Sequence, residues 1–150
     1  MEYFFRPFEG VNNVKFGMTQ SEVETITDKA TEIIENPILN EINEIRNCVS
    51  YVYRNGKLIE FKFGEDFNYN QNSIIFSGMV LCNDLETIEK LSMNPENKIS
   101  DIVRGVVVFH GIGACFSGFK KMKLNIEKEI CFYSKDRLRF YEIRVDKNKL

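Results

Sequence analysis

Val14-Lys15-Phe16-Gly17-Met18-Thr19-Gln20-Ser21-Glu22-Val23-Glu24-Thr25-Ile26 reads as a strand, a glycine hinge and the start of a helix. Thr19 is a good N-cap, and Glu22 stands three residues later, where a capping box needs its carboxylate. Met18 and Val23 are placed for a hydrophobic staple across that cap. Val23, Ile26, Ala30 and Ile33 or Ile34 then recur near the helical period. The expectation is a helix reaching Asn36-Pro37, where the residue before proline avoids helical angles. Glu24, Asp28, Glu32 and Glu35 would form its outer face, and Ile38, Ile42 and Ile45 are spaced for a second short helix.

The neighbouring segments are β-rich. Tyr3 to Phe8 is aromatic and strand-like, and Asn13 to Phe16 is a second short strand. Asn47 to Arg54 and Lys57 to Phe63 flank Asn55-Gly56, the preferred dipeptide of a type I′ hairpin. A two-residue loop sets Arg54 opposite Lys57, Val52 opposite Ile59, Ser50 opposite Phe61 and Cys48 opposite Phe63. Cys48, Val52, Ile59, Phe61 and Phe63 then share a core surface. Val49, Tyr51, Tyr53, Leu58, Glu60 and Lys62 share the other, a candidate contact face.

A polar loop over 64–72 contains Phe67 and Tyr69. Ser73 to Cys82 is apolar on both faces and expected to be a central strand. Asn83 is placed to cap a helix carrying Leu85, Ile88 and Leu91, with Glu86 in capping-box position and Asn94-Pro95 as its stop. Val103 to Phe109 and Gly113 to Phe119 are expected to pair. Lys128 to Tyr133 and Leu138 to Val145 read as a last hairpin around 134–137, with Tyr133 facing Leu138 and Cys131 facing Phe140. The fold class is α+β: a curved antiparallel sheet with one or two, at most three, helices on one face. The length suits one domain, with a weak internal echo between about 8–82 and 83–146.

Charge is uneven. Residues 1–45 hold nine acidic and three basic side chains, residues 46–97 seven and five, and residues 98–150 six and twelve. The net charge of −2 thus conceals an acidic front and a basic back. No apolar run reaches the roughly 18–20 residues that span a bilayer, and the first residues lack the pattern of a signal peptide, so the expected location is the cytoplasm. Cys48, Cys82, Cys115 and Cys131 are scattered among apolar residues and read as buried free thiols.

Catalytic patterns are weak. His110 is the single histidine, and its nearest thiol, Cys115, lies five residues on, a separation that a strand turn explains. Gly111-Ile112-Gly113 lacks the lysine and hydroxyl of a phosphate loop. One histidine and four dispersed cysteines suggest no metal spacing, Glu65-Asp66 reads as a solvated pair, and no cofactor is implied. Lys120, Lys121, Lys123, Arg137, Arg139 and Arg144 lie near aromatics, but a whole-chain pI of about 5.6 argues against a nucleic-acid partner.

Gly10, Phe16-Gly17-Met18-Thr19 and Glu22-Val23, followed by the aromatic hairpin from Tyr51 to Phe61, resemble small bacterial proteins of toxin–immunity loci. There an F-G-M-T-x-x-E-V segment opens a domain of one or two helices against a curved sheet. The resemblance covers the first half of the chain, and the second half matches only in broad order. It implies an immunity protein that binds a cognate toxin, such as a cationic nuclease, without catalysis. Glu24, Asp28, Glu32 and Glu35 would steer that toxin, and Tyr51 and Tyr53, then Phe67 and Tyr69, would anchor it. A small-ligand or peptide-binding domain is the alternative, and the aromatic hairpin leaves room for a homodimer.

Overall fold

A computed structural model describes residues 1–102, 104–119 and 126–149, with side chains to residue 143. The α+β expectation holds, with the strands divided between two sheets. The smaller sheet runs β3 (Val14–Lys15), β2 (Gly10–Val11), β1 (Glu2–Arg6), β8 (Ser73–Phe76), β9 (Met79–Leu81). Only its β1–β8 pair is parallel. The larger sheet is antiparallel throughout, in the order β10 (Val106–Phe109), β11 (Ala114–Ser117), β12 (Glu129–Tyr133), β7 (Lys57–Phe63), β6 (Val49–Arg54), β5 (Glu41–Arg46), β4 (Glu32–Asn36). Helices α1 (Gln20–Glu24), α2 (Leu85–Ser92) and α3 (Leu138–Lys149) complete the fold.

Aromatic rings join the two sheets. Phe5 of β1 stacks on Phe132 of β12 at 3.8 Å between centroids, and Tyr3 meets Phe63 edge-on at 5.4 Å. Val23, Ile88 and Leu91 enter the same cluster from α1 and α2. A second cluster on the outer face of the larger sheet holds Val108, Cys115, Cys131 and Tyr133 beneath Tyr141 of α3.

The hinge forms as its residues dictate. Thr19 Oγ1 accepts from the Glu22 N–H, and the Glu22 carboxylate accepts from the Thr19 N–H, closing the capping box. Gly17, at φ +91°, donates its N–H to the Leu58 carbonyl, while Met18 O accepts from the Leu58 N–H, each at 2.8 Å. The junction is thereby strapped onto β7. Met18 packs against the cluster that holds Val23, as the staple requires.

The expected long helix stops at Glu24. Thr25 Oγ1 bonds back to the Glu22 carbonyl at 2.6 Å and Thr27 Oγ1 to that of Val23 at 3.0 Å, drawing the backbone out of helix at a β-branched run. Glu32–Asn36 is instead the edge strand β4, and the supposed second helix is β5. Asn36-Pro37, taken for a helix stop, begins the turn between them, completed by Asn40 at φ +53°.

The Asn55-Gly56 turn forms with both residues at positive φ, and Arg54 does face Lys57. Further along, the expected register fails. Tyr53 pairs with Leu58 but Val52 pairs with Glu60, which leaves Ile59 as a bulge. One extra residue exchanges faces beyond it: Tyr51 and Tyr53 join Phe61 and Phe63 in the inter-sheet core, and Cys48 is exposed in a turn at φ +63°. Cys82 is half-buried, and Cys115 and Cys131 are buried as expected.

Ser73 to Cys82 is a hairpin rather than a central strand, turning through Ser77 and Gly78 at φ +49° and +77°. Asp84, not Asn83, caps α2 by accepting from the Thr87 N–H at 2.8 Å. Asn83 instead donates to the Ser117 carbonyl, and Leu85 is exposed. The β10–β11 pair forms as expected, though Val103 lies outside the described residues. Leu138 onward is helix, not a returning strand. Lys135–Arg137 forms a 3₁₀ turn that runs into α3, and Leu138 and Tyr141, three apart, both face the outer cluster.

Candidate functional site

β4 is the exposed border of the larger sheet. It pairs with β5 on one side, and all five of its residues are exposed. Side chains alternate along it: Ile33 and Glu35 lie opposite Glu44 and Ile42, while Glu32 and Ile34 lie opposite Ile45 and Asn43. Each face of the strand therefore presents one isoleucine and one carboxylate. Ile33 is 56% exposed, Ile34 48%, and the adjoining turn exposes Ile38 at 93%.

Two inter-hairpin bonds hold the turn in place. Asn40 Nδ2 donates to Asn55 Oδ1 at 2.6 Å, and the Asn55 N–H donates to the Asn40 carbonyl at 3.2 Å. At the other end, Thr31 donates from both N–H and Oγ1 to the Ile45 carbonyl. β4 is thus anchored at both ends while its outer edge stays open.

Carboxylates on the adjoining strands are occupied. Glu44 pairs with Arg46 at 3.0 Å with both groups buried, and Glu41 pairs with Arg137 at 2.9 Å. Among the described residues, no ion pair engages Glu24, Asp28, Glu32 or Glu35. The four acids expected on one helix face are spread over three elements instead: Glu24 ends α1, Asp28 lies in the following loop, and Glu32 and Glu35 sit on β4.

The aromatic anchors expected from the sequence are not on the surface. Tyr51 and Tyr53 are core residues, a consequence of the Ile59 bulge. Phe67 is buried between Tyr3 and Phe63, and Tyr69, half-buried, meets it edge-on at 4.8 Å. Burial pushes the phenols of Tyr51, Tyr53 and Tyr69 up, so all three remain neutral. The exposed apolar residues Ile33, Ile34, Ile38 and Leu39 were missed as a surface. Their signal was the two apolar pairs, Ile33-Ile34 and Ile38-Leu39, set among polar residues on either side of Asn36-Pro37.

At the foot of this border lies a cleft of about 390 Å³ lined by Tyr3, Thr27, Asp28, Arg46, Asn47 and Tyr51. Arg46 donates to the Asp28 carbonyl at 2.8 Å and to the Glu44 carboxylate, but its buried Nε has no hydrogen-bond partner. Asn47 Nδ2 donates to the Tyr3 hydroxyl at 3.2 Å.

Of the sequence's other candidates, His110 lies in the turn between β10 and β11, and Cys115 is buried on the outer face of β11. Arg137 is buried against Glu60 and Glu41, so it is not part of a basic surface, and Lys120, Lys121 and Lys123 lie outside the described residues. Among the described residues, no group of three or more His, Cys, Asp or Glu is placed to hold a metal, and no helix is long and apolar enough to cross a membrane.

Fold and border together define an α+β protein of two packed sheets with an acidic, apolar edge strand. No protein-family model matches the chain, and neither the curated proteins nor the solved structures yield a match.

Proposed function

We propose that this chain is a cytoplasmic immunity protein that acts by binding, without catalysis, and neutralises a toxin with a basic surface. The observation that supports this most directly is the β4 border, where Glu32 and Glu35, in no ion pair among the described residues, stand beside exposed isoleucines. Carboxylates at a rim accelerate encounter with a cationic protein, and apolar groups beside them give the complex its lifetime. The Phe16-Gly17-Met18-Thr19 segment that carries the family resemblance serves here as a strap onto β7, which makes it scaffold for that border.

Co-expression with the toxin domain encoded by the neighbouring reading frame tests the proposal. Cells carrying both should survive, and the two chains should co-purify. Survival no better than without this chain, or survival with no complex, would overturn it. A second reading rests on the cleft beside Tyr3 and Tyr51, where the unpartnered Arg46 Nε suits an acceptor on a small polar ligand. A thermal-shift screen with metabolites tests that reading, and a ligand that raises Tm in wild type but not in Asn47→Ala would support it.

A further inference from the structure

We propose that β4 receives an extended, cationic segment of the partner as an added strand, with basic residues of that segment opposite Glu32 and Glu35 and apolar ones opposite Ile33 and Ile34. The proposal rests on the reading of the chain as a binder of a basic protein and adds the mode of binding.

Three observations carry it. First, an edge strand turns half of its N–H and C=O groups away from its single neighbour, and among the described residues β4 has only β5 beside it. Second, an added strand continues the pleat, so its side chains fall opposite those of β4 on both faces. Glu32 and Ile34 project to one face and Ile33 and Glu35 to the other, so the complementary segment reads basic, apolar, apolar, basic. Third, the anchors at Asn40 and Thr31 hold the edge in strand geometry before any partner arrives, which lowers the ordering cost of binding.

Charge also decides against the simplest competitor, a second copy of the chain. Residues 31–36 contain two glutamates and no lysine or arginine. Antiparallel pairing of two β4 strands would gather four carboxylates at one joint with no cation from either strand, and like charges across a joint are unfavourable. The same carboxylates that keep copies apart admit a strand of opposite charge. The inward glutamates could not serve in this way, because Arg46 and Arg137 already neutralise Glu44 and Glu41.

The test uses the full chain, labelled with nitrogen-15, and the peptide acetyl-Gly-Thr-Lys-Val-Val-Lys-Thr-Gly-amide. Titration should shift and protect amides within 32–36. Replacing both lysines by glutamate should weaken binding at least tenfold. Two N-methylated versions, blocking alternate amides, should separate: one loses binding because its blocked N–H groups face β4, and the other keeps it. Equal binding by both, undiminished binding of the glutamate peptide, protection elsewhere on the chain, or no binding at millimolar peptide would each overturn the proposal. So would protection of 32–36 that rises with chain concentration alone, which would assign the edge to a second copy. Peptide binding at β4 without rescue from the toxin would reject the immunity reading and leave strand addition standing. Rescue by a complex in which 32–36 stays unprotected would do the reverse.

Discussion

Replacing Arg137 with methionine should unfold much of what α3 secures, and more so near neutral pH than in acid. Arg137 bonds Glu60 through Nε at 3.3 Å and Glu41 through both terminal nitrogens at 2.9 and 3.1 Å. Glu60 is fully buried and also accepts from the Tyr141 hydroxyl, while Tyr141 stacks on Tyr133 at 4.1 Å. Removing one member of a buried ion pair strands the other in a poor solvent, at a cost of about 3–5 kcal/mol. Methionine retains most of the aliphatic stem, so the loss is chiefly electrostatic. Replacing the group together, as Glu41→Gln, Glu60→Leu, Arg137→Met and Tyr141→Phe, should recover much of that loss, because neither carboxylate is left facing a missing cation.

The pH dependence has a definite sign. Burial pushes the Glu60 carboxyl above the ordinary range, against the opposing pull of Lys62 and Arg137. A carboxyl whose folded pKa is raised contributes stability below its unfolded value, about 4.3, and loses it as pH rises through the folded value. Without the Arg137 cation the folded value climbs further. Arg137→Met should therefore cost least near pH 4 and most near pH 7. Urea denaturation followed by circular dichroism and tyrosine fluorescence at the two pH values measures this, with hydrogen exchange over 138–143 reporting local release of α3. A loss under about 1 kcal/mol, or one equal at both pH values, would refute the buried-charge account.

Charge reversal of both Glu32 and Glu35 to lysine should slow association with a basic toxin several-fold, and more at low salt, while stability stays within about 0.5 kcal/mol; stopped-flow kinetics and urea titration read the two effects. Tyr53→Ala should cost about 3–5 kcal/mol by opening a cavity between the sheets, measurable as a lower urea midpoint, whereas a surface anchor would leave the midpoint unchanged. Gly10→Ala would drive a Cβ into the Val14 carbonyl oxygen, so a loss on the order of 3 kcal/mol or failure to fold is expected, scored by soluble yield and Tm. Thr19→Ala should cost about 1 kcal/mol through loss of the cap.

What the sequence made legible was set by local rules, and what it hid was set by tertiary ones. The capping box at Thr19 and Glu22 and the Asn55-Gly56 turn formed because their bonds close within a few residues. The β6–β7 register was lost through the single bulge at Ile59, whose carbonyl accepts the Ser134 N–H from a segment 75 positions away. No period in Lys57 to Phe63 announces that partner. The shift moved Tyr51 and Tyr53 from the surface to the core and with them half of the expected aromatic anchors. The expected acids survived as surface groups because, among the described residues, no cation draws them inward as Arg46 and Arg137 do Glu44 and Glu60: Glu24, Asp28, Glu32 and Glu35 are exposed in a helix end, a loop and a strand.

That survival also shows which acids are candidates for recognition. The first 46 residues place Glu41, Glu44, Glu32 and Glu35 within two adjoining strands, indistinguishable by composition. Pairing separates them. Arg46 lies two residues from Glu44 and satisfies it within β5, whereas Arg137 crosses 96 positions to reach Glu41 and brings the start of α3 with it. The first pair is buried and the second partly so, and both act in holding the architecture. Among the described residues Glu32 and Glu35 receive no such partner, and they lie on an edge strand exposed along its whole length. An acid that the fold leaves unneutralised beside exposed isoleucines has no structural task to account for it. Substituting Glu41→Gln should consequently lower stability without changing the association rate with a basic partner, and Glu35→Gln should do the opposite. If Glu41→Gln slowed association as much as Glu35→Gln, the separation between structural and recognition carboxylates would fail.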